Sequence, residues 1–474
     1  MHVDYRSTKI IVTLGPATDS EEMLRQLCEA GADVFRLNMA HAEPDWVRTV
    51  VARIRRVSDA MRRPVPVAMD IKGPEIRTGD LPEPLELALD DRLDLTVDQD
   101  DTAPRDGIPV VSVNYPGIID DVAMGATVLI DGGLIALAVE GKTDTRLCCR
   151  VTVAGELGNR RHVNLPGTRV RLPSVTERDR EHVRLGAEVG VDSFMMSFVR
   201  DAEAISELRG VVEQHGMESW IIAKIEDQSA ISNLEAIIDA SDMLMIARGD
   251  LAVESPFEEL PLVQMRTANL CKHRGKPFIV ATQMLESMIT EPMPTRAEIS
   301  DVATAVQQRA DCVMLSGETT VGHYPVRCVE IMAKIARRIE ESLTEEHWKV
   351  LPLESDRDQV LHAAVVLAQH VERVAYLLYT THGLSARVLA ALRPQRRPIL
   401  AFTPDRSHAR LLRCLYGVEP FLCKPYDKHT EFLGDAVAQL QAEGRVQSGD
   451  GLVAIDYAGA ESEHHDTIQL YRLP

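Results

Sequence analysis

The sequence predicts an α/β protein built on a (β/α)8 barrel, with a small β-barrel lid domain inserted into it and an α/β domain at its C-terminal end. Three observations carry this. Eight short apolar runs recur along the chain, and amphipathic helical stretches follow them. An interval from about residue 78 to 166 breaks that rhythm with short β-like runs and no long helical pattern. Beyond a helical stretch near 324–343, "LPLESDRDQ" reads as a linker into a second alternation of helices and strands.

The apolar runs are "KIIVTL" (9–14), "VFRLN" (34–38), "VPVAMDI" (65–71), "SFMMSF" (193–198), "WIIAKIE" (220–226), "MLMIAR" (243–248), "PFIVAT" (277–282) and "CVMLSGE" (312–318). Their length and continuous apolarity suit parallel strands buried on both faces. Stretches such as "EEMLRQLCEAG", "DWVRTVVARIRRVSDAM" and "AEAISELRGVVEQHG" carry the helical period. Capping boxes are expected at Thr18/Glu21, Ser174/Glu177, Ser232/Glu235 and Thr295/Glu298. The insert is rich in Asp, Pro, Gly, Val and Thr, with runs such as "GATVLIDGGLIALAV" and "RLCCRVTVAGELG". It leaves and returns at one rim, where it can serve as a lid. In the last domain "RVAYLLYT", "RPILAFT" and "GLVAIDY" are the expected strands. The division is then 1–77 and 167–349 for the barrel, 78–166 for the lid, and 350–474 for the C-terminal domain.

Composition bounds the function. At 474 residues the chain exceeds one ordinary core. A hydrophobic share of 45% with 26% charged residues is that of a soluble globular protein. No apolar run approaches the roughly 20 residues that span a bilayer, and "MHVDYRSTKIIV" lacks the features of a secretory signal. Eight cysteines are scattered without metal spacing, so a cytoplasmic chain with free thiols is expected. The net charge of −20 argues against nucleic acid and anionic membranes as partners. A local basic pocket for a phosphorylated small molecule is still compatible with it.

Nearly every strand ends in a charged or hydroxyl residue: Arg36 and Asn38, Asp70 and Lys72, Ser197, Lys224 and Glu226, Arg248 and Asp250, Thr282, Ser316 and Glu318. Barrel sites lie at the C-terminal strand ends, so these endings should line one polar pocket. "IIAKIEDQ" (221–228) is the sharpest case, because Lys224 and Glu226 are two apart and share a strand face. Alone, it fits a solvated strand end, a structural ion pair, or a site holding a metal beside an anion.

"TKIIVTLGPAT", "FRLNMAH", "MDIKGPEIRTG", "VNLPG", "AKIED", "IARGDLAVE", "ATQMLESM", "PTRAEISDVATAV" and "DCVMLSGET" resemble, in order, the signature blocks of the pyruvate kinases. The similarity is strong from Lys9 to Arg338 and looser in "TTHGLSARVLAALRP" and "PILAFTPD". It is poor over the last 30 or so residues.

The resemblance implies glycolytic phosphoryl transfer between phosphoenolpyruvate and ADP, giving pyruvate and ATP, in a homotetramer dependent on Mg2+ (or Mn2+) and K+. By the same resemblance Lys224 reaches the transferring phosphoryl group and the enolate oxygen, while Glu226 and Asp250 hold the divalent metal. The N–H groups of Gly249 and Asp250 are candidates for a substrate carboxylate. Thr282 would hydrogen-bond the substrate and help deliver a proton. Arg36 and Arg77 suit phosphate oxygens, and Arg77, Arg161, His41 and Asn38 would meet the nucleotide. An exposed salt-bridging arginine is the plainer reading of either phosphate candidate. The K+ site would be Asn38, Asp70 and the Ile71 carbonyl. Ala40 stands there in place of a serine, and Glu75 supplies no substitute lysine, so the K+ site is expected to be weakened but not replaced. The lid carries "DGG" (131–133) where the family has "DDG".

Thr380, Thr381 and Ser385 resemble a sugar-phosphate loop. The acidic end "AGAESEHHDTIQLYRLP" lacks the usual effector loop, so fructose 1,6-bisphosphate is not expected to activate. The competing reading is a weakened or repurposed paralog that binds phosphoenolpyruvate or a related oxyacid, as a sensor or a metal–enolate decarboxylase.

Overall fold

The computed structural model describes residues 5–344, 351–426, 429–456 and 467–473. Eight parallel strands close a barrel: Lys9–Thr13, Val34–Asn38, Val67–Ile71, Ser193–Met196, Trp220–Ile225, Met243–Ala247, Phe278–Ala281 and Cys312–Leu315. Each pairs with its sequence neighbours, and the first meets the eighth through Lys9↔Cys312. Alternate residues face opposite ways. Ile11, Met195, Ile222 and Met245 therefore fill the barrel interior, while Ile10, Phe194, Ile221 and Leu244 pack under the helices. Several apolar runs continue one to three residues past the strand they contain. Those extra residues include Ser197, Glu226, Arg248, Thr282, Ser316 and Glu318, where the chain leaves the ladder.

Only one capping box falls where the sequence pattern put it, at Thr295 and Glu298. Ser20, not Thr18, caps the helix Glu21–Ala30. Thr18 instead donates its hydroxyl to the Thr319 carbonyl at 2.8 Å. The helix Glu177–Val189 is boxed by Thr176 and Asp179 rather than Ser174 and Glu177. Asn233, with no side-chain bond, precedes Leu234–Ala240 in place of the expected Ser232/Glu235 pair. A spacing of three recurs by chance wherever Ser, Thr and Glu are dense, so the pattern cannot choose between adjacent frames.

The insert has its own apolar core, including Leu93, Val128, Leu137 and Val151. Its strands form a six-stranded sheet and a two-stranded one, Leu85–Leu87 with Gly155–Leu157. The six-stranded ladder runs from Val163–Asn164 at one edge to Val110–Ser112 at the other. The expected small β-barrel is thus two sheets around a shared core. At the insert's root Arg77 bridges His162, and Val163 N–H donates to the Ile76 carbonyl at 2.8 Å.

The C-terminal part is a five-stranded sheet flanked by helices, ordered Val418–Leu422, Ile399–Thr403, Val374–Tyr379, Gly451–Asp456, Thr467–Arg472. Two strands escape the sequence reading. "VEPFL" contains Glu and Pro, and Thr467–Arg472 is the antiparallel edge strand inside a stretch that reads as an acidic tail. The acidic residues Glu461 to Asp466 lie outside the described residues.

This domain docks on the N-terminal strand ends through buried charge. Arg393 grips Asp311 with Nη1–Oδ1 at 2.9 Å, and Lys9 Nζ donates to the Val418 carbonyl at 2.7 Å. All eight cysteines are free thiols. Among the described residues no helix is long and apolar enough to cross a membrane.

Candidate active site

The opposite rim, at the C-terminal strand ends, gathers the polar endings of strands two to five. Asp70 ends strand three almost fully buried, beside Arg36 of strand two and Lys224 of strand five. Arg36 Nη2 lies 2.6 Å from Asp70 Oδ2, its Nε donates to the same oxygen at 2.7 Å, and its Nη1 donates to Thr13 Oγ1 at 2.9 Å. On the other side Lys224 Nζ is 3.4 Å from Asp70 Oδ1, and Ser197 Oγ donates to that oxygen at 3.3 Å. Nζ also donates to Ser197 Oγ at 2.8 Å and lies 2.8 Å from Glu226 Oε1.

Burial by itself would lower the Lys224 pKa, but Asp70 and Glu226 outweigh it and hold the ammonium above its ordinary value. Burial would likewise raise Asp70, yet Arg36 and Lys224 keep it below the usual carboxylate value. The ammonium and the carboxylate beside it are therefore both locked in charged form.

Glu226 behaves differently. It is 1% exposed, and its Oε2 accepts the Phe198 N–H at 2.6 Å. Burial drives its pKa upward; Lys224 opposes this, while the Asp250 carboxylate adds to the rise. Here is a buried carboxylate with a second carboxylate in its field and too little positive charge. Hard oxygen donors of this kind suit Mg2+, which is commonly held by one or two carboxylates. The residues fit such an ion.

The loops after strands six and seven are held by one side chain. Arg248 Nε donates to the Ala281 carbonyl at 3.2 Å, its Nη2 reaches the Thr282 and Gln283 carbonyls, and its Nη1 donates to Asp301 Oδ1 at 2.6 Å. Those bonds restrain Thr282 at φ +67° and Gln283 at φ +50°. The left-handed region is unfavourable for a β-branched residue, and such strain concentrates at functional sites. Thr282 Oγ1 accepts the Gly249 N–H at 2.8 Å and donates to the Ala281 carbonyl at 2.6 Å. The Gly249 N–H, one of the amide pair expected from the sequence, thus meets a hydroxyl of the neighbouring loop.

The model of the pyruvate kinase barrel domain matches residues 5–329, and that of the pyruvate kinase alpha/beta domain matches residues 358–471. The chain belongs to the pyruvate kinase family. It is 37% identical over 457 residues to plastidial pyruvate kinase 2 of Arabidopsis thaliana, covering 95% of this chain and 78% of that protein. It is 38% identical over 476 residues to a pyruvate kinase of Bacillus licheniformis, covering 98% and 80%. A Staphylococcus aureus pyruvate kinase is 37% identical over 460 residues, covering 94% and 77%.

Within this pyruvate kinase fold not every predicted site residue joins the Lys224 cluster. Arg77 is held by Glu75 (Nε to Oε2, 2.7 Å), which also pairs with Lys72 at 2.7 Å. Arg161 pairs with Asp131 of the insert at 3.3 Å. His41 is exposed, and Asn38 Oδ1 accepts the Ala40 N–H at 3.2 Å across a tight turn. Ile71 is buried in strand three. In the C-terminal domain Thr380 Oγ1 accepts the Gly383 N–H at 2.9 Å, with Ser385 buried and Thr381 exposed. Of the polar strand endings, Glu318 proves to be a loop fastener: its carboxylate accepts N–H groups of Leu285 and Ser316 at 3.0 and 2.7 Å.

The sequence reading misses three contributors. It assigns Asp70 to K+ alone, yet Asp70 is the shared counter-ion of Arg36 and Lys224. It does not single out Thr13 or Phe198 at all. Strand order in a closed barrel is the available signal, since Asn38↔Asp70 and Met195↔Asp70 pair in register at neighbouring strand ends.

Proposed function

We propose that the Lys224 cluster transfers the phosphoryl group of phosphoenolpyruvate to ADP, yielding pyruvate and ATP. The observation that carries this is the buried row Arg36–Asp70–Lys224–Glu226: two fixed cations beside an undercompensated carboxylate. Phosphoryl transfer asks the protein mainly for positioning and for charge on spreading oxygens. Lys224 would place its ammonium on the transferring group and the enolate oxygen, and Arg36 would hold the phosphate fork. Asp70 keeps both cations aimed. Glu226 and Asp250 would hold the divalent metal, which when bound neutralises phosphoryl and enolate oxygens. Thr282, locked between the loops, would orient the substrate and assist protonation of the enolate carbon. Arg77, Arg161, His41 and Asn38 would face the nucleotide under the 78–166 insert acting as a lid.

K+ would meet a thin ligand set here. A carboxylate has about four lone-pair sites, and Asp70 already meets Arg36 twice, Lys224 and Ser197. With Ala40 offering no hydroxyl, K+ would rest mainly on Asn38 and the Ile71 carbonyl. We also infer the division at residues 77/78, 166/167 and 349/350, a homotetramer, a cytoplasmic location, and a phosphate-accepting loop at Thr380, Thr381 and Ser385.

The repurposed-paralog reading has no support among relatives named pyruvate kinase. A coupled assay of ADP-dependent pyruvate formation, with Mg2+ and with or without K+, separates the readings. ADP-dependent turnover is expected. Phosphoenolpyruvate binding without turnover would mark a sensor, and pyruvate from oxaloacetate without ADP would mark a decarboxylase.

A further inference from the structure

The returning arm of the insert, residues 162–164, touches both loops that carry the carboxylates Glu226 and Asp250 or their supports. His162 lays its ring against Phe198, with centroids 5.6 Å apart and planes at 44°. Phe198 sits at φ +54°, a strained conformation that persists only where the surroundings impose it. In that conformation its N–H points at Glu226 Oε2, 2.6 Å away.

Two residues along, Asn164 is 4% exposed. Its Nδ2 donates to Glu254 Oε1 at 2.6 Å, while its Oδ1 is buried without a partner. Glu254 lies one turn beyond Asp250 on the helix Arg248–Glu254.

A plain staple for the root of the insert could land anywhere on the barrel rim. This arm lands on the residue whose N–H holds one carboxylate and on the helix that carries the other. Accepting an unsatisfied, buried Asn164 carbonyl is a cost that a mere surface anchor would avoid. We propose that His162 and Asn164 are positioning residues that tie divalent-metal affinity to the seating of the insert. The inference rests on the reading of Glu226 and Asp250 as metal ligands.

When the arm lifts, Phe198 loses the ring that braces its strained backbone, and Glu254 loses its amide donor. Both carboxylates then lose their fixed aim. By linkage, a filled metal site must favour the seated arm by the same free energy.

The test is direct Mn2+ binding to the whole chain without substrates, read from the electron-paramagnetic resonance of free Mn2+. Outer partners of metal ligands typically change affinity about 10–100-fold, so His162→Ala and Asn164→Ser should each weaken Mn2+ binding about tenfold. His162→Phe keeps a ring on Phe198 and should restore it. Glu226→Gln is the control for the underlying assignment. Unchanged affinity in His162→Ala and Asn164→Ser, with Glu226→Gln weakened, overturns the coupling alone. Unchanged affinity in Glu226→Gln overturns the metal reading and the coupling with it. Should one alanine or serine variant not fold, the other together with His162→Phe decides the matter.

Discussion

Glu226 at the active rim and Asp33 at the opposite end of the barrel are both buried carboxylates, 1% and 3% exposed. Their electrostatics run in opposite directions. Burial would raise Asp33, but Arg6, Lys9, Arg63 and Arg413 drive its pKa far below the usual carboxylate value. Arg6 lies 2.7 Å away, Arg63 2.9 Å and Arg413 of the C-terminal domain 3.4 Å. The Ile10 N–H adds a further favourable contact at 3.0 Å. Glu226 has one ammonium, one N–H and a like-charged neighbour. At this seam between the barrel and the C-terminal domain, cations more than compensate Asp33, and the cluster is structural. The rim leaves a deficit that a cation can fill.

The largest effect should come from breaking the seam. Asp33→Asn keeps the shape but strands several buried cations, and removing one partner from a buried pair costs about 3–5 kcal/mol. Urea unfolding at pH 7 should show that loss. The pH dependence sharpens it. Asp33 is depressed, and so is Glu419, where Lys9 and Arg413 overcome burial and bring it to about 2. A depressed carboxylate contributes stability above its unfolded pKa of roughly 4, lost as pH falls through its folded value. Wild-type stability should therefore drop steeply as pH falls from about 4 towards 2, and Asp33→Asn should flatten that slope. An equal slope in both proteins would mean the seam charges do not govern acid stability.

Breaking the rim should cost turnover and also some stability, because Asp70 and Glu226 lose a buried partner. Lys224→Met keeps the aliphatic stem and removes the charge aimed at the transferring group. Loss of one preorganised electrostatic partner costs on the order of 10²–10³ in kcat. Steady-state kinetics at saturating Mg2+ should show it; near-normal turnover would remove the central role given to Lys224.

The smallest effect belongs to position 40. Ala40→Ser returns one oxygen beside Asn38, worth on the order of 1 kcal/mol if it behaves like a net hydrogen bond. The half-saturating K+ concentration should fall, with little change in Mg2+ dependence. An unchanged K+ response would show that residue 40 does not face the cation, and full wild-type activity in buffer free of K+ and Na+ would mean another group has replaced it.

Much of the rim was legible because barrels place function at strand ends. Lys224, Glu226, Asp250 and Thr282 each lie at or just past the end of an apolar run, so position in the run identified them. The pairing of Asp70 with Arg36 and Lys224 was not legible, since those residues are 34 and 154 positions apart. Glu318 misled for a related reason. A polar ending states that a group needs a partner, and only packing decides whether the partner is a ligand or a loop N–H.

The sequence by itself determined the eight-strand repeat, the break at the insert and the family, because period and local motif survive without knowledge of contacts. It also determined which residues carry charge at the rim. Tertiary structure alone decided which charges neutralise one another, because burial sets the cost of each charge and only the fold brings distant partners within about 3 Å to offset it. That is why Asp33 is held by surplus positive charge while Glu226 is left short of it.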